Sequence, residues 1–125
     1  MQPNFSRAVK QQLKETLSVP AKTVFENLTK RLFKEGWDIV YSDSILDQNK
    51  KLVCEVFGVS SAFGGSTLLS LGAHGARYVP FFVKVKEIDS TKSEVHIISG
   101  GSESWLGLDF GRNRKIVENL LKYCE

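Results

Sequence analysis

Asp109, Phe110 and Gly111 form a triplet that can hold Mg²⁺ where phosphoryl groups are transferred. Two histidines, two cysteines and several glycine clusters are the other features able to do chemistry. The magnesium reading also needs a His-Arg-Asp catalytic loop and a far larger chain, and this sequence of 125 residues has neither. Asp109 is read instead as the residue whose side-chain oxygen caps the first turn of a final helix. Gly64 to Thr67 (GGST) lacks the lysine and spacing of a phosphate loop. Gly72 to Gly75 (GAHG) carries the two glycines of an RNA-backbone clamp without its flanking helices and basic face. Both are read as turns, where glycine supplies a positive φ.

His74 and His96 have no spacing that ties them to Cys54, Cys124 or a carboxylate pair, so no metal or cofactor is expected. No G-x-S-x-G elbow places a nucleophile among the serines, and nothing commits the chain to catalysis. Cys54 lies in an apolar run and Cys124 near the end. They form no CxxC pair, so free thiols are expected, with a single bridge left open.

Arg112, Arg114 and Lys115 fall in the first turns of the final helix, where positive charge opposes the helix dipole. An anion held between these cations and the free N–H groups would make that arrangement favourable. Side chains that splay into water would pay only about 0.3–1 kcal/mol each, and this is the simpler account. Phosphate or nucleic-acid binding through these three residues, with Arg77 and with Phe82 as a stacking platform, is therefore the alternative function and not the leading one.

Composition narrows the class further. With 42% hydrophobic and 25% charged residues, the chain suits one domain, residues 1–125, with a real core. The net charge of +3 is too small and too well interleaved with acids to force a nucleic-acid partner. The first fifteen residues show no long apolar leader, which gives the expectation of a cytoplasmic protein. Val56 to Ala76 has no Asp, Glu, Lys or Arg, yet its glycines, serines and His74 make it too polar for a transmembrane segment.

Apolar residues at Ala21, Val24, Phe25, Leu28, Leu32 and Phe33 predict a helix with one stripe facing a sheet. Pro20 suits its start and Gly36 its left-handed end. Before it, Leu13, Leu17 and Val19 alternate with polar residues as in a strand, while Phe5, Val9, Leu13 and Leu17 also fit a helix; both remain open. Strand chemistry recurs from Trp37, Lys51, Tyr78 and Ser93, separated by short polar links that favour antiparallel neighbours. The stretch from Gly58 to Arg77 is too long for a plain connection and is a candidate site. Phe110, Val117, Leu120, Leu121 and Cys124 share one face of the last helix. The expected fold is α+β, a single antiparallel sheet of about four to six strands with two helices packed on one face.

Strict alternation puts Trp37, Ile39, Tyr41, Leu52, Cys54, Val56, Phe81, Val83, Val85, Val95 and Ile97 on the helix-covered face. The opposite face mixes Val40, Val53, Phe57, Phe82 and Ile98 with Asp38, Glu55, Lys84, Lys86 and His96. A solvated face is usually more cleanly polar. Three things can cover it: the Gly58 to Arg77 stretch, a second copy of the chain in a homo-oligomer, or an apolar small molecule. The leading expectation is a non-enzymatic binding module for an apolar or amphipathic ligand or a protein partner. Phe57, Phe63, Leu68, Leu69 and Phe82 would make the contacts, with Trp105 near the rim.

Two segments carry a resemblance. TLSVPAKTVFENLTK resembles the strand-Pro-Ala-helix opening of START-like, or Bet v 1-like, helix-grip domains, matching at Val19, Pro20, Ala21, Val24 and Phe25. That resemblance implies an apolar ligand held between a curved antiparallel sheet and a C-terminal helix. The chain departs from the pattern in having fewer strands, a shorter final helix and no pair of small helices after the first strand. DFGRNRKI resembles the Asp-x-Gly-x-Asn-x-x-Ile ending of uncharacterised bacterial α+β domains, matching at Asp109, Gly111, Asn113 and Ile116, and implies no activity.

Overall fold

The computed structural model describes residues 11–60, 79–100 and 112–125. In chain order these form β1 (Gln11–Leu17), α1 (Ala21–Lys34), β2 (Asp38–Leu46), β3 (Leu52–Val59), β4 (Pro80–Asp89), β5 (Lys92–Ser99) and α2 (Arg112–Cys124). The described strands make one antiparallel sheet in the order β1-β5-β4-β3-β2. Both helices pack against the same face, which is the expected α+β arrangement.

The segment with two open readings is a strand. Leu13, Leu17 and Val19 lean on the core, and pairing with β5 over the whole of β1 outweighs the fourfold apolar spacing that a helix would use. Pro20 then sits at the helix entry with φ −59° and ψ 145°, where its missing N–H leaves no orphan donor. Its carbonyl accepts from the Val24 amide at 3.0 Å. The buried Ser93 hydroxyl donates to the Val19 carbonyl at 2.8 Å and fixes this linker to the start of β5.

Gly36, at φ 77°, ends α1 as the sequence predicts. The Gly36 amide donates to Phe33 O at 3.2 Å and the Trp37 amide to Leu32 O at 3.0 Å, the paired bonds of a Schellman motif. This turn drives Trp37 into the core, with ring centroids 5.4 Å from Phe81 and 5.6 Å from Tyr123 in edge-on contacts. Ala21, Val24, Leu28 and Leu32 from α1 meet Ile116, Val117, Leu120 and Cys124 from α2 over Cys54, Val56, Phe81, Val83, Val85, Val95 and Ile97.

Two assignments by periodicity, Phe33 and Tyr41, are corrected. Phe33 does not join the buried stripe of α1 but is 86% exposed, because Leu32 already faces the sheet and the next residue is rotated about 100° away. Ile39 keeps the helix-covered face, opposite Gly58 in the row of Phe81, but is 36% exposed on the edge strand. Tyr41 leaves the helix-covered face altogether, because a β-bulge between Ile39 and Tyr41 shifts the register and reverses the side-chain alternation. In addition, Ile116 is fully buried on the core face of α2, although the stripe read from sequence omitted it.

Candidate binding face

The face opposite the helices is organised into rows by the strand register. One row runs Gln12, Ile98, Phe82, Phe57, Tyr41 across all five strands. The next, roughly 7 Å along the strands, runs Lys14, His96, Lys84, Glu55, Asp43. A third runs Thr16, Glu94, Lys86, Val53, Ile45. The mixed character expected of this face is therefore sorted: an apolar and aromatic row lies beside a row of ionisable groups.

The apolar row is uneven in exposure. Phe82 and Ile98 are 1% exposed within the protomer itself, while Phe57 and Tyr41 are half-buried; Val53, in the third row, is also buried. The Tyr41 and Phe57 rings are tilted at 35° with centroids 5.8 Å apart. Burial raises the Tyr41 hydroxyl pKa, and the negative charges of Glu55 and Asp43 in the adjacent row add to the rise. His96 lines this face as expected, with its Nε2 3.2 Å from Gln12 Oε1.

This row lies at the end of the sheet from which the long insertion leaves. The Ser60 amide donates to Val79 O at 2.9 Å, and the Val79 amide donates to Ser60 Oγ at 3.1 Å. Those two bonds clamp the base of residues 61–78. Phe57 and Phe82, the two expected contacts within the described residues, are a directly opposed cross-strand pair on this face. Phe63, Leu68, Leu69, His74, Arg77, Trp105, Asp109 and Phe110 lie outside the described residues. Tyr41 is the member of the row that sequence reasoning missed. The alternation of Trp37, Ile39 and Tyr41 continues through the bulge in the sequence, so nothing local showed where the register shifts.

The cationic start of α2 is not drawn into this face. Arg114 lies 79% exposed, and its Nε donates to Glu118 Oε1 at 3.2 Å, a partner one turn along the same helix. Lys115 is exposed, and the Arg112 side chain lies outside what is described. Cys54 and Cys124 are free and buried in the core. Burial lifts their thiols to about 11 and about 12, with Asp43 and Glu125 as the respective lesser causes, so neither is a nucleophile near neutrality. Among the described residues no three His, Cys, Asp or Glu side chains gather as a metal site, and no helix is long and apolar enough to cross a membrane.

No protein-family model and no curated protein sequence matches this chain. Several solved structures are similar to it at low identity. The di-domain aromatase/cyclase BexL from the BE-7585A biosynthetic pathway gives a TM-score of 0.48 at 8% identity, over 93% of this chain and 44% of BexL. The chain thus spans less than half the length of that protein. An uncharacterised protein from Bacillus thuringiensis gives 0.45 at 12% identity, over 93% of this chain and 96% of its own. The structure of Ara h 8.0201 gives 0.43 at 14% identity, over 93% of this chain and 94% of its own.

Proposed function

We propose that this chain is a binding module for an apolar or amphipathic molecule, which it meets on the sheet face opposite the helices. The observation that carries the reading is the row Tyr41, Phe57, Phe82, Ile98 lying directly beside Asp43, Glu55, Lys84 and His96. An amphipathic ligand has the matching polarity, with an apolar body along the first row and a polar group over the second. Half-buried Phe57 and Tyr41 are the accessible part of the row, and the buried Phe82 and Ile98 form its floor. Phe63, Leu68, Leu69 and Trp105 are proposed to complete the contacts. Burying a further aromatic surface of this kind is worth on the order of 1.5–3 kcal/mol per side chain.

Native mass spectrometry of the purified protein tests this reading, because it reports any retained small molecule and the number of chains together. Titration with an apolar fluorescent probe, anilinonaphthalene sulfonate, extends the test to weak binders. Binding that is nearly indifferent to salt and weakened by Phe57→Ala supports the proposal. A clean monomer that neither retains a molecule nor binds the probe would remove it.

A further inference from the structure

The outer side of the helical layer carries a feature that the binding face does not explain. α1 and α2 bring their C-terminal ends together, where Asn27, Lys30, Arg31, Lys34, Lys122, Tyr123 and Glu125 line an open hollow of about 280 Å³. Lys30 and Asn27 also border an adjoining hollow with Glu26, Thr29 and Phe33. The two hollows form one continuous surface with four cations and an aromatic ring that is 86% exposed.

Helix dipoles account for part of this. Arg31 and Lys34 lie in the last turn of α1, and Lys122 lies in the last turn of α2, where cations are favourable. Arg31 is also held in place, donating to Glu35 at 3.2 Å and lying 5.0 Å above the Tyr123 ring. Neither cause applies to Phe33. A phenyl ring left in water beside Lys30 forgoes the burial that Val24, Leu28 and Leu32 of the α1 stripe obtain.

We infer that this surface docks on an anionic lipid bilayer, with Phe33 entering the headgroup region and Lys30, Lys34 and Lys122 meeting lipid phosphates and carboxylates. The pairing of one apolar residue with an adjoining cationic hollow fits an interface that is both negative and greasy. A soluble phosphate would satisfy the cations and leave Phe33 unused. Glu26 and Glu125 border the same surface, so attraction is moderate and the association is reversible. The surface lies on the far side of the helices from the proposed binding row, and its occupancy does not depend on a ligand there.

Vesicle co-sedimentation tests the inference with the full chain. Binding is expected to phosphatidylserine-rich vesicles and not to pure phosphatidylcholine vesicles, and it should fall away in high salt. Reversing two exposed charges in Lys30→Glu with Lys34→Glu should weaken binding by more than about tenfold, at about 1 kcal/mol per basic residue. Phe33→Ser should weaken it by about fivefold or more without lowering the thermal midpoint, since the ring is exposed in the folded chain. Equal binding to neutral vesicles, no binding to either, or unaltered binding by both variants would overturn the inference. So would a Phe33-dependent association with single-stranded RNA by a chain that ignores vesicles.

Discussion

Gly58 stands directly opposite Ile39 where β2 enters the sheet, and a side chain there would run into the Asp38 carbonyl oxygen. The Phe81 ring fills the space above it, 3.0 Å from where a Cβ would lie. Close approach of backbone and ring, and not a left-handed turn, is why this strand position holds glycine.

Gly58→Ala is therefore expected to push β2 away beside its bulge. The cost should be about 1–3 kcal/mol, as for other overpacked core positions. Thermal denaturation reads the loss, and hydrogen exchange should show it concentrated at Asp38 to Tyr41. An unchanged midpoint would mean that the two backbones are not in contact.

Tyr41 and Phe57 should be energetically coupled because the bulge brings them onto one face. A double-mutant cycle with Tyr41→Leu and Phe57→Leu should return about 0.5–1.5 kcal/mol of interaction. Coupling near zero would restore the alternative in which Tyr41 faces the helices.

The thiols predict a pH dependence with a definite sign. Each has an ordinary value of 9.0, and burial raises Cys54 to about 11 and Cys124 to about 12. Above pH 9 the unfolded chain releases these protons while the folded chain keeps them. Their contribution is complete below pH 9 and declines as pH rises through the folded values. Denaturant midpoints from pH 8 to 10.5 should fall more steeply in the wild type than in a Cys54→Ala, Cys124→Ala variant. A thiol reagent at pH 8 should modify both cysteines in denaturant and neither in the folded protein.

Lys50 has φ 60° in the turn between β2 and β3, an unfavourable conformation for a side chain of its kind. Asp47 organises that turn by accepting from the Asn49 amide at 2.8 Å and the Lys51 amide at 2.9 Å. Lys50→Asn should raise stability by up to about 1 kcal/mol, since Asn tolerates the left-handed region. Asp47→Ala should lower it by about 1 kcal/mol through loss of both bonds. Chemical denaturation of the two variants should show opposite shifts.

Much of the fold was legible in local pattern. The α1 stripe from Ala21 to Leu32, its end at Gly36, and the apolar alternation of Cys54, Val56, Phe81, Val83, Val85, Val95 and Ile97 all appear in the structure as read. These features depend on helical and strand periods that neighbouring residues impose on one another. The pairing of Phe57 with Phe82 was half legible: both belonged to the second face, but their opposition required the register of β3 against β4.

The amino-acid order by itself determined both helices and the strands β2 to β5, and which side chains of the central strands turn toward the helices, while β1 stayed open between strand and helix until its pairing with β5 decided it. Tertiary structure decided the rest. It introduced the bulge that carries Tyr41 to the other face, a shift in the register of β2 against β3 that appears only in their pairing. It also sorted the second face into an apolar row beside a charged one, and gathered cations of two helices around one hollow that adjoins Phe33. Those groupings join residues far apart in the chain, and no local period specifies their distance from one another.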